Sequence, residues 1–206
     1  MKIRTDFVTN SSSSCYVTIV IETKDKKHYV GAFVGDEVGQ FDGGISRNGE
    51  FTLKNALQAE NGKALLDVIN AAYDNLFAKY GELDKLFEED DLARSLLEEN
   101  EIEWSMGGQK ELEATPMSDI LSVRINERTN GDAEGGSGEL VADFVKLEEH
   151  VTSSGMYDSM DFSEGEMIEV SIETEHEEIR NWKNGEVRIL KDEENVVEDE
   201  EDEYEE

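Results

Sequence analysis

Carboxylates are the reactive groups this chain has in quantity: 51 Asp plus Glu stand against 19 Lys plus Arg, a formal net charge of −32. They crowd at Glu88-Glu89-Asp90-Asp91 and Glu98-Glu99, with Glu101 and Glu103 close behind. Carboxylates spaced along a rigid element imitate a run of phosphates and fit the basic groove of a nucleic-acid enzyme by electrostatic complementarity. A solvated acidic helix face produces the same pattern, so two readings stand for these eight candidate binding residues. Nucleic-acid phosphates and anionic membranes repel such a chain, which makes a basic protein surface its natural partner. General acid and base work needs two carboxylates at a defined separation in a cleft, and 51 carboxylates single out no pair.

Other chemistry is thinly represented. His28, His150 and His176 are scattered, and no two have the spacing of a His-Glu-x-x-His metal site. Cys15 is the only cysteine, which removes zinc-finger ligation and an internal disulfide framework and fits a reducing compartment. Neither Gly-x-x-x-x-Gly-Lys-Ser/Thr nor Gly-x-Gly-x-x-Gly occurs, so nucleotide phosphates have no recognisable cradle. The loop Asn130-Gly131-Asp132-Ala133-Glu134-Gly135 echoes the first half of a calcium loop, but Val141 stands where a bidentate Glu is needed, and the loop reads as an acidic hairpin connection. Trp104 and Trp182 read as core-edge residues or binding anchors. No catalytic residue, metal ligand or cofactor is assigned, and the expectation is a non-enzymatic protein.

One stretch carries a resemblance. Lys2 and Arg4 give a basic start, Phe7-Val8-Thr9-Asn10-Ser11-Ser12-Ser13-Ser14-Cys15-Tyr16-Val17 follows, and the chain then becomes strand-like. This resembles proteins of Gram-positive gut bacteria, their phages and mobile elements that begin with a Phe-Val-Ser-Asn-Ser-rich string. Asp6, Thr9, Cys15 and Tyr16 depart from that pattern. The resemblance implies a phage or mobile-element context and transfers no catalytic residue. The serines themselves favour local turns over regular pairing, which fits a flexible cap on the first strand or a recognition or processing tag. No elbow motif or neighbouring histidine supports a nucleophile among them.

The elements that would hold the acidic residues follow from periodicity. Tyr16 to Thr23 and His28 to Val34 are rich in β-branched and aromatic residues around a polar turn, and predict a hairpin placed centrally in a sheet. Glu50-Phe51-Thr52-Leu53, after the Asn48-Gly49 turn signal, predicts a short third strand. Leu65, Leu66, Ile69, Ala72, Tyr73, Leu76, Phe77 and Tyr80 recur at three and four, the spacing of one helix face, with Gly81 as C-terminal cap. A second helix is expected from Glu82 to Asn100, making a helical pair. Asp119 to Glu127 and Leu140 to Val145 predict a second hairpin, Val151 to Gly165 reads as irregular, Met167 to Glu173 alternates as a strand, and Glu186 to Leu190 gives the last one.

The expected fold is α+β: a mostly antiparallel sheet with a packed helical pair. One domain spans 1–191, with a flexible serine-rich start over 1–15, a helical segment over 54–103 and a second β region over 117–191. The tail, 192–206, holds 11 acids and no base and is expected to be disordered. No window is apolar enough to span a bilayer and no apolar signal segment follows Arg4, so a cytoplasmic setting is expected. The functional expectation is an acidic protein that binds a basic surface of a host protein, as a nucleic-acid mimic or as immunity to a basic nuclease toxin. The alternative is an assembly protein whose acidity serves solubility.

Overall fold

A computed structural model of the chain describes residues 14–36, 44–47, 50–86, 102–104, 108–130, 134–163, 166–183 and 185–201. Eight strands make one sheet: β1 (Ser14–Thr23), β2 (His28–Asp36), β3 (Glu103–Trp104), β4 (Ile120–Asn130), β5 (Glu134–Asp143), β6 (Glu148–Ser163), β7 (Glu166–Lys183) and β8 (Glu186–Glu201). Their spatial order is β3-β2-β1-β4-β5-β6-β7-β8, and every pairing is antiparallel. The helices are α1 (Gly44–Arg47), α2 (Leu53–Ala56), α3 (Gly62–Leu86) and α4 (Gly108–Glu113).

The sheet is antiparallel as expected, and β1 is central, between β2 and β4. Its alternation then does the sorting: Val17, Ile19 and Ile21 are buried, whereas Tyr16, Thr18 and Val20 on the other side are half-buried. The same face continues through Tyr29 on β2, Val123 and Ile125 on β4, Leu140 and Ala142 on β5 and Val151 on β6. Leu65, Leu66, Ile69, Ala72, Tyr73 and Leu76 of α3 join that core, six of the eight positions the helical periodicity marks. Each such aliphatic side chain contributes about 1.5–3 kcal/mol when fully buried, far more than helix propensity supplies, so packing decides where α3 lies.

Several expectations are corrected. Gly81 does not end the helix: α3 runs unbroken from Gly62 to Leu86, since a glycine within a helix costs only about 1 kcal/mol. The expected second helix of the pair, 82–100, lies mostly outside the described residues. Glu50 to Leu53 is not a strand. Thr52 is extended but caps α2, its hydroxyl accepting from the Asn55 N–H at 3.2 Å. Val151 to Ser163 is not irregular: it belongs to β6, which pairs along its length with β7 from Glu148↔Asn181 to Ser163↔Glu166, and residues 164–165 lie outside the described residues. The tail is not disordered at its start, because residues 192–201 are the second half of β8, zipped onto β7. Backbone pairing along a formed partner strand does not depend on apolar side chains, and composition is blind to that.

α3 is anchored at its start. Asn61 caps it, its side-chain oxygen accepting from the Ala64 N–H at 3.0 Å, and Asn61 also bridges to Pro116 in an isolated antiparallel pair. The Gly62 N–H donates to the Thr115 carbonyl at 2.8 Å. A Cβ on Gly62 would sit 1.9 Å from the Leu112 carbonyl oxygen. Gly62→Ala would gain at most about 1 kcal/mol of helix propensity. The backbone clash costs about 1–3 kcal/mol, so the variant is expected to be less stable than the parent, read as a lower urea midpoint. A rise in that midpoint would show that α4 can move away from α3 at no cost.

Candidate interaction surface

Seven of the eight acidic candidates, Glu88, Glu89, Asp90, Asp91, Glu98, Glu99 and Glu101, lie outside the described residues. Glu103 is on β3, opposite Ala32 of β2. The Asn130–Val141 stretch divides between the end of β4 and β5, which pair from Ser122↔Asp143 to Asn130↔Gly135; residues 131–133 between them lie outside the described set. Trp182 packs at the edge of the core, as does Trp104. Among the described residues no group of His, Cys, Asp and Glu is arranged to hold a metal ion.

Three carboxylates that periodicity does not mark, Glu127, Glu149 and Glu178, are buried on the covered face of the sheet. Glu127 of β4 accepts from the Ile45 N–H at 3.1 Å and from the Tyr73 hydroxyl at 2.7 Å, so it joins the start of α1 and the middle of α3 to the sheet. Gly44 meets it closely: its φ is +56°, and a Cβ there would fall 2.0 Å from Glu127 Oε2. Glu149 of β6, fully buried, accepts from the Leu53 N–H at 2.8 Å and from Trp182 Nε1–H at 3.3 Å through Oε2, and from Arg180 at 3.1 Å through Oε1. It satisfies the first turn of α2. Arg180 is shared with Glu178, next to it on the same face. Burial pushes the Glu149 carboxyl above its ordinary range, outweighing the Leu53 N–H and Arg180, which pull it down. Perturbed buried acids mark many active sites. Here Glu127 Oε1 and both oxygens of Glu149 are engaged by backbone or side-chain donors of the fold, which makes the pair structural.

Ser153 and His176 occupy opposed positions of β6 and β7, and His176 Nε2 lies 3.4 Å from Asp192 of β8. Ser153 Oγ and His176 Nδ1 are buried without a hydrogen-bond partner. The three residue types are those of a nucleophile relay, but no serine-to-imidazole hydrogen bond is formed, so the relay is not assembled.

The surface that does concentrate one chemistry is the β7–β8 hairpin. Its two strands carry fourteen acids and four bases. Strands lie about 4.8 Å apart and same-face side chains recur at about 6.8 Å, so the carboxylates form a two-dimensional lattice. Glu173, Glu175, Asp192, Glu193 and Glu194 are exposed. Glu177, opposite Glu193, is held ionised: the Lys191 ammonium at 2.6 Å and then His150 at 3.0 Å keep its carboxyl below the ordinary range. On the face opposite α3 these strands border a groove of about 550 Å³ crossing from β4 to β8, with Arg128, Glu139, Ser154, Glu175, Glu177 and Glu193 among its walls. Sequence reading missed this surface because it treated 192–206 as detached. The alternation of Met167 to Glu173 was the signal that a second strand could follow.

Glu149→Ala leaves Arg180, Trp182 and the Leu53 N–H facing an empty buried site, and a stability loss of about 3–5 kcal/mol in urea unfolding is expected. Glu149→Gln retains an oxygen for Leu53 and Trp182 and should lose less. The folded carboxyl holds its proton to higher pH than the ordinary 4.5, so the stability it contributes is full below that value and declines as pH rises through the folded one. The parent should therefore lose stability relative to Glu149→Gln over that interval; a flat difference between the two would contradict the assignment.

Set against protein-family models, curated proteins and solved structures, the chain matches none.

Proposed function

We propose that this is a non-enzymatic acidic protein that binds a basic surface of another protein, and that the β7–β8 hairpin is the binding face. The observation that carries the reading is the density of carboxylates on paired strands: acids expected on a tail stand instead at fixed spacing on the sheet, with Glu173, Glu175 and Glu193 exposed on one side of the hairpin and Asp192 and Glu194 on the other. Fixing charges before association removes the ordering cost that a flexible acidic tail meets on binding. A basic groove evolved to track phosphates is the complementary shape, which keeps inhibition of a nucleic-acid enzyme and immunity to a basic nuclease toxin both within this reading. The N-terminal resemblance to phage and mobile-element proteins agrees with either role.

An assembly role is the second reading, and one observation favours it: five of the eight exposed large hydrophobics among the described residues, Val187, Ile189, Leu190, Val196 and Val197, belong to β8. Salt separates the two. Half-molar salt shortens the Debye length to a few ångströms (about 4 Å) and weakens contacts between exposed charges, while apolar contacts persist. A partner held by the hairpin should elute from the immobilised full chain in a rising salt gradient. Asp192→Asn, Glu193→Gln and Glu194→Gln together should lower the affinity for that partner at low salt by about tenfold or more, mostly through a slower association rate. Retention of the chain by itself or by a salt-resistant partner, unchanged in the triple variant, would replace this reading with the assembly role.

A further inference from the structure

The two edges of the sheet are treated differently. At one, β2 is paired with β3 at Gly31↔Trp104 and Ala32↔Glu103, and α4 approaches closely enough that a Cβ on Gly108 would lie 3.1 Å from the Tyr29 ring. At the other, β8 runs for 16 residues and no described strand pairs with its outer side. An antiparallel edge strand turns alternate N–H and C=O groups outward, a template for one more strand.

Proteins blunt such edges by making them short, by placing proline on them, or by twisting them with bulges. β8 is long, has no proline and has one bulge, where the register shifts and Leu190 is the extra residue. Its remaining defence is charge: eight acids and two bases along the strand. Charge of one sign is a selective defence, since it repels acidic strands and attracts basic ones, and it leaves the backbone template intact. Val187, Ile189, Leu190, Val196 and Val197, each about half exposed, supply the apolar contacts that an added strand needs.

We propose that the outer edge of β8 captures an extended Lys/Arg-rich segment of the partner as a ninth strand. This rests on the acidic-surface reading and specifies how the surface is used. Backbone bonds to β8 supply affinity, and the acids at Asp192, Glu193 and Glu194 select cationic side chains. Val187 and Ile189 receive apolar ones, so the segment is basic at one end and apolar at the other. A second copy of this chain is a poorer occupant, because it brings another β8 with eight acids and two bases alongside the first.

The test uses the full chain and two synthetic peptides with a lysine-rich end and a valine-rich end, one ordinary and one N-methylated at every residue. Both have the same side chains and charge, but the second cannot donate backbone hydrogen bonds. The ordinary peptide should bind at low salt at least about tenfold more tightly, and it should slow exchange of alternate β8 amides between Val187 and Val197. Equal binding of the two peptides with unaltered β8 exchange overturns strand capture and leaves the acidic-surface reading standing. Binding of neither peptide at low salt removes both. Concentration-dependent dimerisation that protects the β8 amides and excludes the peptide assigns the edge to a second copy and also overturns the proposal.

Discussion

Burying a carboxylate is costly unless donors meet it, and this fold meets Glu127 and Glu149 with helix starts and Glu178 with Arg180. Glu127 and Glu149 leave the sheet on its covered face and meet the starts of two four-residue helices that are too short to be stable alone. The arrangement is reciprocal: the helix starts offer unpaired N–H groups, and the sheet offers the charge that satisfies them. Through these bonds the segment before α3 is fixed over β4 and β6, and Ile45, Phe51, Leu53 and Ala56 are carried into the core. Removing either carboxylate would loosen a helix, and with it the apolar residues beyond.

The cover stops short of the sheet. Eight strands about 4.8 Å apart span roughly 34 Å, and the buried apolar cluster reaches from β2 to β6. Across β7 the same face turns charged, through Glu178 and Arg180, with Trp182 as its last large apolar contact. The sheet therefore changes character along its width. One half is held by apolar burial beneath α3; the other depends on backbone ladders and on cross-strand pairs such as His150 and Lys191 with Glu177. A region held this way can carry a dense charge of one sign without disturbing the core.

Sequence reading reached the apolar half more readily than the polar half, for a physical reason. β1 and the buried face of α3 follow from the spacing of Val17, Ile19 and Ile21 and of Leu65, Leu66, Ile69, Ala72, Tyr73 and Leu76, because burial writes itself into periodicity. β6 past Val151 and β8 past Lys191 were not legible, since polar residues such as Ser153, Ser154, Asp192 and Glu193 give no such signal and the strands owe their existence to neighbours. Glu127 and Glu149 were hidden for a related reason: one buried acid among 51 looks like any other until its donors are in view. The acidic character of the surface was legible from composition, whereas its concentration on β7 and β8 was not.

The bulge at Leu190 has a meaning for the rest of β8. Before it, odd-numbered residues share the covered side of the sheet with Arg180 and Trp182, through Arg180↔Ile189 and Trp182↔Val187; after it, even-numbered ones do, through Glu178↔Asp192 and His176↔Glu194. One inserted residue thus acts as a half-period phase shift in the strand's alternation. It sets Asp192 beside His176 and Lys191 beside both Glu177 and Glu193, and so decides which acids are paired within the sheet.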